Sequence, residues 1–191
     1  MTFIQIMPFI ILDRDGVINY DSDEYIKSPD EWQPIPGSLD AIAHLNRAGF
    51  RVLVATNQSG VARGHYDLET LDQIHEKFMR ELAAHGGYVE EIFFCPHHPE
   101  EECSCRKPKP GLLHQIAEKY NVDLTETYFI GDSYVDIQAA KAAGCKPLLV
   151  MTGNGHKVRE QHPDLFAAIQ SFADLADAVD YVLIQQGKSH G

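Results

Sequence analysis

Positive charge is the scarcest commodity in this sequence. Lys and Arg number 16 against 28 Asp and Glu, for a formal net charge of −12. A chain so acidic offers no basic face to nucleic acid or to an anionic bilayer, so neither is an expected partner. No apolar run reaches the roughly 18 residues that cross a membrane. The opening MTFIQIMPFIILDRDG is apolar but lacks a basic start and a small-residue cleavage site. A first buried strand is expected there rather than a secretory leader. A cytoplasmic, reducing location follows as the default, which disfavours structural disulfides. Repeats, low-complexity segments and linkers are also missing. Residues 1–186 should therefore form one domain, with 187–191 a frayed tail. No exposed apolar helix face stands out, and a monomer is expected.

What the chain does contain is an alternation of short apolar runs and amphipathic stretches. Residues 9–12, 52–55, 92–94, 128–130, 148–150 and 181–184 are the strand candidates. Helical patterns fill 38–48, 68–85, 111–120 and 135–143, with a weaker one over 163–178. Gly37, Gly49, Gly86, Gly87 and Gly144 fall near helix ends, where a positive φ is often needed. Strands apolar along their length, each followed by a helix, predict an α/β fold. The expected form is a doubly wound, mainly parallel Rossmann-like sheet with helices on both faces. Such sheets gather their working residues at the carboxyl ends of the strands.

Four of those ends carry polar clusters. The first strand candidate runs into Asp13-Arg14-Asp15-Gly16 and the second into Thr56-Asn57-Gln58-Ser59-Gly60. The third leads to a Cys/His stretch ending in Arg106-Lys107, and the fourth to Gly131-Asp132-Ser133-Tyr134-Val135-Asp136. Singly these are ordinary, since an Asp after a strand is commonly a turn former or a cap. Together, carboxylates, a hydroxyl and a lysine suit a phosphate and a divalent metal. Hard Mg²⁺ takes carboxylate and phosphate oxygens. A phosphomonoester dianion repels an anionic nucleophile until metal and lysine neutralise it. A carboxylate nucleophile then divides hydrolysis into making and breaking an acyl phosphate. A second carboxyl two residues on can act as acid and then as base.

Cysteine is sparse too, four residues in all, yet three of them stand in the stretch CPHHPEEECSCRKPKPG at 95–111. Cys95 with a nearby histidine, and Cys103 with Cys105, make two chelating pairs. Thiolates with imidazole suit tetrahedral Zn²⁺ far better than a hard cation, and four protein ligands leave no open position. Spacing alone does not choose between His97 and His98. A structural zinc in the loop 95–105 would stiffen a proline- and glutamate-rich segment that ends at Arg106-Lys107. Cys145, remote in sequence, reads as a buried core residue.

The ordered set DRDG, TNQSG, RKPKPG and GDSYVD resembles the four motifs of the haloacid dehalogenase superfamily, specifically its phosphatases, over roughly residues 8–152. The resemblance implies Asp13 as nucleophile and Asp15 as general acid/base, with Thr56 and Lys107 on the transferring phosphoryl group. It implies Mg²⁺ held by Asp13, the backbone carbonyl of Asp15, and Asp132, with Asp136 a supporting carboxylate. It favours Cys95, His97, Cys103 and Cys105 as the zinc ligands. Only about twenty residues separate Asp15 from the helix near Ser38, which resembles a member without a cap domain.

In a capless member, specificity must come from short loops. The candidates for substrate contact are Asp21, Ser22, Asp23 and Glu24; Asn57, Gln58, Ser59 and Arg63; and Arg106 on the zinc loop. Arg63 and Arg106 could hold a second phosphate through planar bidentate donors. The wording NQSGVARG and CPHHP…CSCRKPKPG is similar to superfamily members that act on a sugar bisphosphate, so a small sugar phosphate is the expected substrate. The histidinol-phosphate phosphatases share the aspartates and the zinc clip, and the short His97–Cys103 spacer is theirs as well. A phospho-aspartate signalling module is a remoter alternative, since it would place its acceptor after the third strand, where this chain has Cys95.

Overall fold

The computed structural model describes residues 7–189. Six strands, β1 (Phe9–Leu12), β2 (Arg51–Asn57), β3 (Glu91–Cys95), β4 (Tyr128–Gly131), β5 (Lys146–Val150) and β6 (Gln170–Phe172), form one sheet in the order β3-β2-β1-β4-β5-β6. Every neighbouring pair is parallel. The chain builds outward from β1 through β3, then returns to lay β4 on the other side of β1. Two loops diverge at that reversal, and a crevice opens outside the carboxyl ends of β1 and β4.

Both sheet faces are dry, and the strands show why. Ile10, Leu12, Val52, Val54, Ile130, Leu148 and Val150 point to one face, under α1 (Ser38–Arg47), α2 (Leu68–Ala84) and α7 (Leu175–Ser189). Ile11, Leu53, Ala55 and Phe129 point to the other, under α3 (Gly111–Tyr120) and α4 (Tyr134–Ala143). A parallel strand covered on both sides has no polar face, so its apolar run is continuous. Cys145 sits in the second of these cores. Gly37, Gly49, Gly86 and Gly144 have positive φ at helix ends, as their positions suggest.

Two expectations fail near the C-terminus. Residues 181–184 are not a strand but part of α7. Leu175, Ala178, Val179 and Val182 are buried while Ile184 is 57% exposed, a spacing of one helical face. A short apolar run cannot by itself be told from a helix segment. The sixth strand is instead Gln170–Phe172, inside the stretch expected to be helical; it is short, polar and at the sheet edge. The remainder of that stretch is α6 (Pro163–Ala167) and the start of α7, and α5 (Gly155–Gln161) precedes them. The proposed tail is helical through Ser189, and its last two residues lie outside those described.

Candidate active site

The crevice is a cleft of about 350 Å³, and it collects residues from all four polar strand ends. Asp13, the first residue past β1, is buried, and its Oδ1 accepts the Arg14 backbone N–H at 2.7 Å and pairs with Lys107 Nζ at 2.9 Å. Lys107 is itself buried. Its ammonium also donates to the Ala55 carbonyl at 2.9 Å and lies 2.7 Å from Asp136 Oδ1. Asn57 exchanges two 3.1 Å bonds with the Lys107 backbone, fastening the end of the cysteine loop to the end of β2.

The charges do not balance. Asp13, Asp132 and Asp136 place carboxylate oxygens within 4.8 Å of one another, with one lysine among them. Burial and the nearby Asp136 carboxylate raise the Asp13 pKa to about 8, even though Lys107 pulls it down. Burial, then Asp136 and Asp13, hold Asp132 well above the usual range. Asp136 goes the other way. Burial would raise it, but Lys107 and the Ser133 donors outweigh that and keep it low. Its Oδ2 accepts from Ser133 Oγ at 2.7 Å and from the backbone N–H groups of Ser133 and Asp132 at 3.1 and 3.2 Å. With one oxygen so occupied and the other facing Lys107, Asp136 supports the cluster rather than offering a free ligand. Asp13 and Asp132 are the carboxylates that want a cation, and their hard oxygens fit Mg²⁺.

Asp15 is held differently. Its Oδ1 accepts from Arg14 Nε at 3.0 Å and Asn19 Nδ2 at 2.9 Å; its Oδ2 accepts from Arg14 Nη2 at 3.1 Å and Gln58 Nε2 at 2.8 Å. Burial would raise its pKa, yet the Arg14 charge and these donors together lower it. Arg14 is fully buried and reaches His75 Nε2 at 3.1 Å. Burial and that guanidinium depress the His75 pKa to about 3, so its ring is neutral and can accept the bond. Thr56 Oγ1 accepts from Gln58 Nε2 at 2.9 Å, and Tyr66 donates to Gln58 Oε1 at 2.7 Å, which fixes the amide's orientation.

The rim comes mainly from two loops, after β1 and after β2, with Arg106 added from the cysteine loop after β3. Asp21, Ser22, Asp23, Asn57, Gln58, Ser59, Arg63 and Arg106 all line the cleft, and Glu24 does not. Arg106 Nη1 is buried there without a hydrogen-bond partner, which is costly unless an anion supplies one. Tyr25, at a φ of 68°, stacks on His65 with ring centroids 4.8 Å apart and joins the two loops across the opening. Asn154, Tyr66 and Tyr25 also line the cleft. Asn154 is absent from the sequence-based candidates; it lies four residues past the end of β5, where the strand-end rule that located the other clusters applies equally.

The cysteine loop makes a separate cluster. Cys95 Sγ lies 3.5 Å from His97 Nδ1 and 3.6 Å from Cys103 Sγ; Cys105 Sγ lies 3.2 Å from His97 Nδ1 and 3.6 Å from Cys103 Sγ. Donors at roughly 2.0–2.3 Å from a tetrahedral zinc would stand about 3.3–3.8 Å apart, and the set, with its shortest separation at 3.2 Å, comes close to that spacing. His98 is elsewhere, capping the short turn Pro99–Glu101.

A family model described as haloacid dehalogenase-like hydrolase matches residues 3–144. A D-glycero-beta-D-manno-heptose-1,7-bisphosphate 7-phosphatase from Pseudomonas aeruginosa is 54% identical over 92% of this chain and 97% of its own. The enzyme of that name from Bordetella bronchiseptica is 57% identical over 81% of this chain and 87% of its own. The crystal structure of D,D-heptose 1,7-bisphosphate phosphatase from B. bronchiseptica, complexed with magnesium and phosphate, superposes with a TM-score of 0.90 at 51% identity. That match covers 94% of this chain and 99% of the other.

Proposed function

This chain belongs to the haloacid dehalogenase-like hydrolase family, and on that premise we propose that it removes the 7-phosphate of D-glycero-β-D-manno-heptose 1,7-bisphosphate by way of a phosphorylated Asp13. The reaction suits the supply of heptose for lipopolysaccharide precursors. The observation that carries the reading is the near full-length identity to enzymes of that name. The chemistry of the cleft supports it, with an unbalanced carboxylate pair at one end and Arg106, whose Nη1 is buried without a partner, among its lining residues.

Asp13 is the nucleophile. Both of its donors take Oδ1, leaving Oδ2 to approach phosphorus. Mg²⁺, held by Asp13, Asp132 and the Asp15 backbone carbonyl, supplies charge neutralisation and orientation when bound. Lys107 and Thr56 stabilise the phosphoryl oxygens; Lys107 is kept protonated because Asp13 and Asp136 outweigh the burial that would otherwise lower its pKa. Asp15 protonates the leaving oxygen and then takes a proton from the water that cleaves the acyl phosphate. As a base it is ready, since Arg14 keeps it ionised. To act as an acid it must first take up a proton, from solvent or from a protonated substrate phosphate, and exchange one of its four donors for the leaving oxygen.

Arg106 and Arg63 hold the distal phosphate, and Asp21, Ser22, Asp23 and Ser59 face the sugar hydroxyls. Cys95, His97, Cys103 and Cys105 hold a structural Zn²⁺ that mounts Arg106 and Lys107. All four cysteines are free thiols, which suits a reducing cytoplasm. No helix among the described residues is long and apolar enough to cross a membrane.

The test is phosphate release with Mg²⁺ from both anomers of the heptose bisphosphate against histidinol phosphate. A hundredfold preference in kcat/KM for the bisphosphate, about 2.7 kcal/mol of transition-state binding, is expected. The reverse preference would sink the substrate assignment and turn attention to the acidic rim at Asp21 and Asp23.

A further inference from the structure

Asn154 stands at the N-cap of α5, a position where an Asn ordinarily bonds the first turn, yet its side chain makes no capping bond. It is turned toward two carboxylates instead. Its backbone N–H donates to Asp132 Oδ2 at 2.7 Å, and its Nδ2 donates to the same oxygen at 3.2 Å. The same Nδ2 lies 3.2 Å from Asp21 Oδ2, so one NH₂ group serves the buried carboxylate with one hydrogen and the rim with the other. The residues beside it crowd the same oxygen. A Cβ on Gly16 or on Gly153 would fall 2.2 Å from Asp132 Oδ2. Thr152 Oγ1 donates to the Gly16 carbonyl at 2.7 Å and draws the segment 152–154 against the loop that carries Asp13 and Asp15.

Both Asn154 donors to Asp132 meet Oδ2, and Oδ1 of Asp132 has no protein donor among the described residues. We propose that Asn154 is a positioning residue: its amide holds Asp132 so that Oδ1 is presented to Mg²⁺, and its shared N–H ties the Asp21 loop to the occupied metal site. The proposal rests on the reading of Asp132 as a metal ligand. Outer donors of this kind change metal affinity by roughly 10–100-fold. The backbone N–H remains in Asn154→Ala and Asn154→Ser, so the lower end of that range applies here.

The test is a calorimetric titration of the full chain with Mg²⁺ alone, comparing wild type, Asn154→Ala, Asn154→Ser and Asp132→Asn. Asn154→Ala should weaken Mg²⁺ binding about tenfold. Its loss of kcat should recover as Mg²⁺ is raised, and Asn154→Ser, with a shorter donor, should fall between. A role confined to starting α5 would lower the Tm of the Mg²⁺-free protein and leave the Mg²⁺ affinity alone. An Asn154→Ala affinity within twofold of wild type, or a deficit that persists at saturating Mg²⁺, therefore overturns the proposal. Asp132→Asn separates the two levels. If it leaves Mg²⁺ binding untouched, the metal reading itself is wrong; if it abolishes binding while Asn154→Ala does not weaken it, only the positioning role fails.

Discussion

The oxygen cluster at Asp13, Asp132 and Asp136 and the sulfur cluster at Cys95, His97, Cys103 and Cys105 meet where Cys105 and Lys107 stand two residues apart, and they are built on opposite principles. Rigid strand ends hold the first, it opens to the cleft, and its negative charge exceeds what one lysine can neutralise. The second is held by a loop after β3 rather than by strand ends. Its four donors already stand close to tetrahedral spacing and face one another. An excess of charge facing a cleft is useful for chemistry, because a cation and an anionic substrate are needed to resolve it. A closed set of donors is useful for mechanics, because nothing is left over to react. Burial pushes the Cys95 thiol up to about 12, whereas at Cys103 the Arg106 backbone N–H and the neighbouring thiols outweigh burial and bring the thiol down to about 7, so without a cation the negative charge of that cluster centres on Cys103.

The contrast can be tested by breaking each side in turn. The largest effect should come from Asp13→Asn, which removes the nucleophile from the oxygen cluster. Turnover should fall on the order of 10⁴-fold or more, with circular dichroism unchanged; substantial residual activity would unseat Asp13. Next comes Lys107→Met, which leaves Asp13 and Asp136 facing each other uncompensated. Removing one partner of a buried pair costs about 3–5 kcal/mol, and urea unfolding of the Mg²⁺-free protein should show a loss of that size. Added Mg²⁺ should recover part of it.

On the sulfur side, Cys105→Ser should release the loop and misplace Lys107. A displacement near 1 Å costs about 10²-fold in rate. Asp13 and Asp132 hang from β1 and β4, so Mg²⁺ affinity should hold in this variant. If Mg²⁺ binding collapses with the zinc loop, the two clusters are not mechanically separate.

The smallest contrast is in acid. His75 lies behind the oxygen cluster with its pKa lowered to about 3 by burial and Arg14. Between there and its unfolded value of about 6.5 the unfolded chain binds the extra proton, so stability from this group is full above that window and falls as pH drops through it. From pH 7 to 5 the loss is about 2 kcal/mol. His75→Gln should flatten the wild-type pH dependence of urea unfolding by that amount, and an unchanged slope would remove His75 from the account.

Most of the site was legible before any fold was known, because strand ends in a parallel sheet are where a chain can place a side chain into a crevice at little cost to the core. Asp13, Thr56, Lys107 and Asp132 each follow an apolar run by one or a few residues, apart from the lysine, which waits for the end of its cysteine loop. Only the stretch 163–184 departs from its expected elements, for a related reason. At 181–184 the apolar run is too short to distinguish periods of 2 and 3.6, and β6 carries no apolar signature because it lies at an edge.

The sequence by itself determined the alternation of strands and helices, the residue types at four strand ends, and the chelating pairs of the zinc loop. These are local properties, set by periodicity and by spacing over a few residues. Only the tertiary structure decided that His97 rather than His98 faces the thiols, that Asp136 spends its oxygens on Ser133 and Lys107, and that Asn154 bridges Asp132 to Asp21. Each depends on which lone pair meets which donor across segments as far apart as 133 residues. Hydrogen bonds are directional over a few tenths of an ångström, and no one-dimensional pattern carries that geometry.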